Sequence, residues 1–303
     1  MTLPPWVVNA ALRVFVRWPL GWIKTPQAFR ARFERDAKIV FRDPKGANYG
    51  RDAIRRPDGS LMPALWASLG RPDRTKVILY LHGGAFVAGS PNTHRHLAAR
   101  LAGATDARTL LPDYRLAPED PFPAALEDAL TAYRHLLASY PPERIAVAGD
   151  SAGGGLTFCL LLAAQAEGLP PPAAVATFSP FCDFTLSAPS LKRNARREVM
   201  LPPNRASEVV DYYLAGHDPR DPLASPIFGA FTAPPPSLIM ASTSEMLADN
   251  ATIMAECLRK AGGDVQLEIW PGLPHAWPLL LGKLRAAESA VTNAGRFIAA
   301  RLN

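Results

Sequence analysis

The segment Gly149-Asp150-Ser151-Ala152-Gly153-Gly154 places a serine between an apolar run, Arg144 to Ala148, and a long helical pattern. A serine on the tight turn between a buried strand and a helix is held in a strained conformation. Its Oγ stands exposed at the carboxyl edge of a sheet, where it can attack an acyl carbon. Small residues at 149, 152 and 153 permit that close turn. A bare Gly-x-Ser-x-Gly pattern arises often by chance, and the strand before it and the helix after it give it weight.

A second stretch supplies complementary chemistry. Lys76 to Leu81 reads as a fully buried strand and ends in His82-Gly83-Gly84-Ala85-Phe86. Glycines there let the backbone approach a substrate. The N–H groups of Gly83, Gly84 and Ala85, with that of Ala152 at the start of the next helix, are expected to hold the negative charge developing on an attacked carbonyl oxygen. His82 reads as a brace that bonds neighbouring backbone, since a general base is better supplied elsewhere.

In the strand, serine, helix arrangement the nucleophile is followed along the chain by an acid and then a histidine. Leu238 to Ser242 reads as a buried strand with Glu245 just past its end, and Val265 to Trp270 as a last strand with His275 in the loop beyond. His275 is expected to take the Ser151 proton and return it to the leaving alcohol, while Glu245 fixes its tautomer and stabilises the imidazolium. Asp249, one turn into the following helix, competes for the acid role, but the position just beyond the strand favours Glu245. Asp150 reads as an orienting hydrogen-bond partner beside the substrate, with Phe86, Phe181 and Trp277 as further substrate-contacting residues. Tyr114, Arg115 and Glu119 read as a loop brace.

With these residues in place, the chain resembles the hormone-sensitive-lipase-like family of bacterial esterases and lipases along nearly its whole length. The resemblance rests on His82 to Ala85, Asp113 to Glu119, Gly149 to Gly154, Asp221-Pro222-Leu223-Ala224-Ser225-Pro226 and the segment ending at His275. It implies an α/β-hydrolase fold and a serine carboxylic-ester hydrolase that cleaves small to medium apolar esters through an acyl-enzyme. A lactone-opening subgroup adds cyclic esters to the range. Two departures stand out: Ala85 where the family commonly has a third glycine, and Glu245 where many relatives carry aspartate. Ala85 keeps a backbone donor, but its Cβ narrows the loop and demands a backbone angle that alanine can adopt. An amidase or thioesterase could use the same triad. A non-catalytic ligand receptor of this fold fits less well, because Ser151, Glu245 and His275 are all present. The resemblance also implies a homodimer paired through the last strand, Val265 to Trp270.

The elements that must position these residues alternate along the chain. Strand and helix patterns run through Val77 to Tyr80, Pro91 to Leu101, Thr109 to Asp113, Pro123 to Ala138, Ile145 to Gly149, Leu156 to Ala166 and Ala174 to Ser179. They predict a mostly parallel sheet with helices on both faces. An earlier antiparallel pair is expected in Ala37 to Arg42 and Leu61 to Ser68, turning at Pro57-Asp58-Gly59. A length of 303 residues with 48% apolar side chains suits one domain, 1–303. Two segments fall outside the sheet pattern and read as a mainly helical cap: 1 to about 35, with several Trp and Phe, and about 181 to 225, rich in proline. Phe181, Phe184, Met200, Leu201, Tyr212, Tyr213 and Leu214 are candidates for the inner face of that cap.

A net charge of +6 raises nucleic acid as a partner, but the arginines are spread along the whole chain and no nucleic-acid-binding motif occurs. Near the N-terminus Val8, Leu12 and Phe15 lie close to one helical face with Arg13 and Arg17 elsewhere. That pattern suits membrane-surface contact, although a cap helix is the preferred reading. No basic n-region precedes that stretch, so it does not read as a signal peptide, and no apolar run is long enough to span a bilayer. Cys159, Cys182 and Cys257 are too scattered for a disulfide framework, which fits a reducing cytoplasm. His94 and His96 are two apart on an expected helix, and His135 and His217 lack ligand-spaced partners, so no metal and no cofactor are expected.

Overall fold

Short apolar runs bounded by turn residues become the strands of one eight-stranded sheet in the computed structural model, which describes residues 2–302. Positions 1 and 303, the ends of the expected domain and the first residue of the expected cap, lie outside the described residues. The chain opens with α1 (Pro5–Leu12), a π-helical turn (Arg13–Arg17), α2 (Trp18–Leu20) and α3 (Pro26–Val40). Two strands come next, β1 (Ala47–Arg55) and β2 (Leu61–Leu69). Then come β3 (Val77–Leu81), α4 (Pro91–Thr105), β4 (Arg108–Pro112), α5 (Ala124–Leu137), β5 (Ile145–Asp150), α6 (Ser151–Ala166) and β6 (Ala174–Phe178). The helices α7 (Ser190–Arg193) and α8 (Ala206–Leu214) interrupt this rhythm before β7 (Ser237–Ser242), α9 (Ala248–Lys260), β8 (Val265–Trp270) and α10 (Arg285–Ala299).

The strand order is β1-β2-β4-β3-β5-β6-β7-β8. β2 runs antiparallel to both of its neighbours and every other pairing is parallel. Side chains of a strand alternate between the two faces of the sheet, so β3 feeds two cores at once. Val77, Leu79 and Leu81 enter a core shared with α5, α6 and α9, whereas Ile78 and Tyr80 enter the core that holds α4 and α10. With both faces covered, the central parallel strands are buried along their whole length and mostly apolar, and their carboxyl ends are the free edge on which a site can be built.

The early antiparallel pair differs from expectation on one side. Leu61 to Ser68 is in β2, but its partner is β1 at Ala47–Arg55, and residues 37–40 close α3. Thr25 accepts a hydrogen bond from Ala28 N and Pro26 occupies the first turn, so the helix is well started and runs through to Val40. Its end, Lys38-Ile39-Val40-Phe41, mimics a strand because it is apolar and β-branched, yet Ile39 is left in solvent. β1 escapes notice because it is an edge strand of mainly polar residues in which only Ile54 is buried. The turn at 57–59 does connect the pair, with Gly59 at φ +87.

Candidate active site

β5 ends at Asp150 and α6 begins at Ser151, whose φ of +52 lies in the left-handed region that side chains avoid. The turn is held from below. A Cβ on Gly153 would stand 2.0 Å from the Leu81 carbonyl oxygen, so only glycine lets the first turn of α6 sit against the end of β3. Gly153→Ala is therefore expected to lower stability by about 1–3 kcal/mol through overpacking, read as the urea midpoint. An unchanged midpoint would mean that α6 stands farther from β3.

Three side chains meet above this turn. His275 Nε2 lies 2.8 Å from Ser151 Oγ, and His275 Nδ1 lies 2.7 Å from Glu245 Oε2. Ser179 Oγ and Ser242 N donate to the other Glu245 oxygen, at 2.9 and 2.7 Å. All three residues come from strand ends: Ser151 after β5, Glu245 after β7, His275 after β8. Asp249, the competing acid, faces away, accepting from Ser190 N and from the Arg193 guanidinium.

Burial and electrostatics bias the pair. Burial raises the Glu245 carboxyl above its ordinary value, against the pull of the His275 hydrogen bond. Burial depresses the His275 imidazole, but the hydrogen bond and charge of Glu245 outweigh it and hold His275 above the usual histidine value. His275 is thus arranged to accept a proton and remain charged afterwards.

The loop after β3 crosses in front of Ser151. Gly84 has φ +128, and a Cβ there would lie 2.1 Å from the Ala88 carbonyl oxygen. Ala85 sits at φ +57, in the left-handed region that side chains avoid and not at an angle alanine readily adopts. Of the expected oxyanion donors, Gly83 must be set aside, because its N–H is already engaged by Asp150 Oδ1 at 3.0 Å. Among the described residues the Gly84 and Ala85 N–H groups donate to no protein acceptor. Ala152 lies in the first turn of α6, where helix N–H groups lack intrahelical partners.

Asp150 is the anchor of this loop. It is buried and also accepts from Tyr80 Oη at 2.9 Å, with His94 Nε2 3.4 Å away. His82 bonds the Gly83 carbonyl through Nδ1 and stacks on Tyr114, whose hydroxyl donates to the His82 carbonyl. Burial, with the nearby His94, lowers its pKa to about 3, so His82 is a neutral brace. Arg115 binds Asp128, and Glu119 holds Arg30 of α3.

Ser151 and His275 open into a cavity of about 230 Å³ that also reaches Gly83, Gly84, Ala85 and Asp150. Val16, Leu20, Ile23, Phe29 and Phe33 wall one side, and Phe181, Leu186, Met200, Leu201, Val209 and Tyr212 another. Phe184, Tyr213 and Leu214 pack into the core below. Phe86 and Trp277 do not line the cavity, contrary to expectation. Phe86, at φ +59, turns its ring down onto Tyr213 at 3.8 Å, leaving Val87 at the wall. The left-handed turn at Ala276 sends Trp277 into the core behind the sheet, 5.8 Å from Trp270.

Sequence reasoning missed three supporting residues. Ser179 Oγ accepts from Ala276 N as it donates to Glu245, tying the acid loop to the histidine loop. It follows β6 directly, and that strand-end position was the available signal. Asn194 Nδ2 donates to the Glu245 carbonyl at 2.7 Å. Buried Glu198 accepts from Val199 N, Met200 N and Met246 N, the last next to Glu245. Neither Asn194 nor Glu198 carries a motif that would single it out.

The family model for the alpha/beta hydrolase fold matches residues 78–279. The chain is 42% identical over 236 residues to an acetyl-hydrolase of Streptomyces hygroscopicus, covering 78% of this chain and 79% of that one. It is 34% identical over 231 residues to the carboxylesterase/phospholipase LipF of Mycobacterium tuberculosis, covering 74% and 61% of the two chains. Among solved structures, an esterase from the bacterial hormone-sensitive lipase family superposes over all of both chains with a TM-score of 0.92 at 34% identity.

Proposed function

We propose, for a chain that belongs to the alpha/beta hydrolase family and to its hormone-sensitive-lipase-like esterases, a carboxylesterase-type hydrolase, that cleavage runs through an acyl-enzyme on Ser151. The observation that carries this reading is the unbroken relay from Glu245 through His275 to Ser151 Oγ, opening on an apolar cavity. Ser151 Oγ attacks the ester carbonyl as His275 Nε2 removes its proton. The carbonyl oxygen becomes an oxyanion held by the Gly84, Ala85 and Ala152 N–H groups. His275 then protonates the departing alkoxide, and the alcohol leaves. Water, deprotonated by the same nitrogen, attacks the acyl carbon and restores Ser151 with release of the acid. Glu245 keeps the Nδ1 proton in place throughout and offsets the imidazolium charge.

The substrates we assign are small to medium apolar esters, lactones of matching size included, within one domain capped by about 1–35 and 181–225. The support is the wall, which is aliphatic and aromatic except for a few polar groups such as Arg205 and Glu208. Arg205 bonds Glu208 and the Leu20 carbonyl, so its charge is engaged in joining the two cap segments. Each added acyl methylene contributes about 0.8 kcal/mol of burial until the space is filled. For nitrophenyl esters kcat/KM should rise with chain length and then drop sharply. A burst of nitrophenol equal to the enzyme concentration is expected where deacylation is slow. Val209→Trp, which thickens the wall, should move the optimum to shorter chains. An optimum on the longest chains, or one unmoved by Val209→Trp, would place the acyl group elsewhere.

A further inference from the structure

The helical stretch from α1 through α2 has two faces with opposite surroundings. Val8, Leu12, Val16 and Leu20, spaced four apart, point inward. The first two join the core that holds α4 and α10, and the last two wall the cavity. The outer face is aromatic and left in solvent: Trp6, Phe15, Trp18 and Trp22 are 73%, 68%, 67% and 74% exposed. Phe15, expected to share a helical face with Val8 and Leu12, belongs instead to this outer set. Four large rings exposed together on one short segment are an interaction surface and not scattered single residues.

The charge around them has one sign. Residues 2 to 33 contain Arg13, Arg17, Lys24, Arg30 and Arg32 and no Asp or Glu. Arg30 pairs with Glu119 and Arg32 with Asp36, whereas Arg13, Arg17 and Lys24 meet no carboxylate among the described residues. Arg13 donates to the Arg196 carbonyl and Arg17 to the Ala195 carbonyl, which brings the exposed Lys192, Arg196 and Arg197 alongside.

We propose that this face is an interfacial docking surface for an anionic lipid bilayer. The Trp and Phe rings enter the headgroup boundary and the surrounding cations meet lipid phosphates. The charge pattern argues against a second copy of this chain as the occupant, because a symmetric contact would oppose two cationic patches without a carboxylate between them. No helix among the described residues is long and apolar enough to cross a membrane, so the segment lies on the surface. Its inner face forms part of the cavity wall, so docking sets the cavity close to the bilayer.

The test is flotation of the full chain with vesicles of phosphatidylcholine alone and with about one-third phosphatidylglycerol. Binding to the anionic vesicles should be at least about tenfold tighter and should weaken with salt. Trp18→Ser with Trp22→Ser should reduce it at least about tenfold, and Lys24→Glu with Arg196→Glu should abolish the preference for phosphatidylglycerol. None of these four residues lines the cavity, so kcat/KM for a soluble short-chain ester should stay within about twofold, which reports an intact fold. Three results would overturn the proposal: no vesicle binding by the wild type, binding undiminished in the double Trp variant, or a solution dimer that this variant dissociates.

Discussion

Ser151→Ala is expected to lower kcat by at least about 10⁴-fold, the largest single effect available in this chain. The substitution deletes the one hydrogen-bond partner that His275 Nε2 has among the described residues and changes nothing else in the wall of the cavity. Alanine keeps the Cβ at φ +52, so the backbone strain of the turn is the same in both proteins. The urea midpoint should therefore hold while activity disappears, and what remains should reflect the backbone donors acting on water attack. An organophosphonate offers a second view: it should add once to the wild type, at Ser151, and not at all to the variant. Retention of more than about a tenth of the activity, or labelling at another serine, would remove Ser151 from the nucleophile's role.

How much of the fold and site was legible depends on where each feature is encoded. β3, β5 and β7 are continuous apolar runs closed by turn residues, a local signal that survives folding because each strand is buried on both faces. The proximity of Ser151, Glu245 and His275 was legible for a related reason. Each follows a strand, and strands of a parallel sheet deliver their ends to one edge. β1 was hidden because an edge strand has little apolar content to display, while the β-branched end of α3 displayed more. Phe86 and Trp277 were misjudged because the side chain beside a left-handed residue points where local φ sends it, and sequence carries no record of φ at Ala276. Gly83 is a similar case. Its N–H is taken by Asp150, a partner 67 positions away that only the crossing of two strand-end loops reveals. Glu198 and Asn194 were invisible for the same reason: they act on the Glu245 loop through backbone groups, which any sequence possesses.

The contrast between the two acids makes the second large prediction. Glu245→Gln should cost about 10³- to 10⁴-fold in kcat, and the geometry gives the reason. Ser242 N can only donate, so the oxygen of the new amide must stay where Oε1 is, which turns the amide nitrogen toward His275 Nδ1. Facing a donor, Nδ1 becomes an acceptor and the ring proton moves to Nε2, where it leaves no base for Ser151. Asp249→Asn removes one oxygen charge from a contact with Arg193, whose side chain is 56% exposed, and should cost less than about tenfold. The pH profile supplies a readout that a packing defect would not move. Only neutral imidazole can accept the serine proton, so wild-type activity should rise as pH climbs through a His275 pKa lying above the ordinary histidine value. Removing the Glu245 charge leaves burial as the dominant influence and lowers that pKa, so the residual activity of Glu245→Gln should set in at lower pH than in the wild type. Greater damage from Asp249→Asn would transfer the acid role to Asp249. An activity limb that stayed fixed in Glu245→Gln would show that Glu245 does not set the charge on His275.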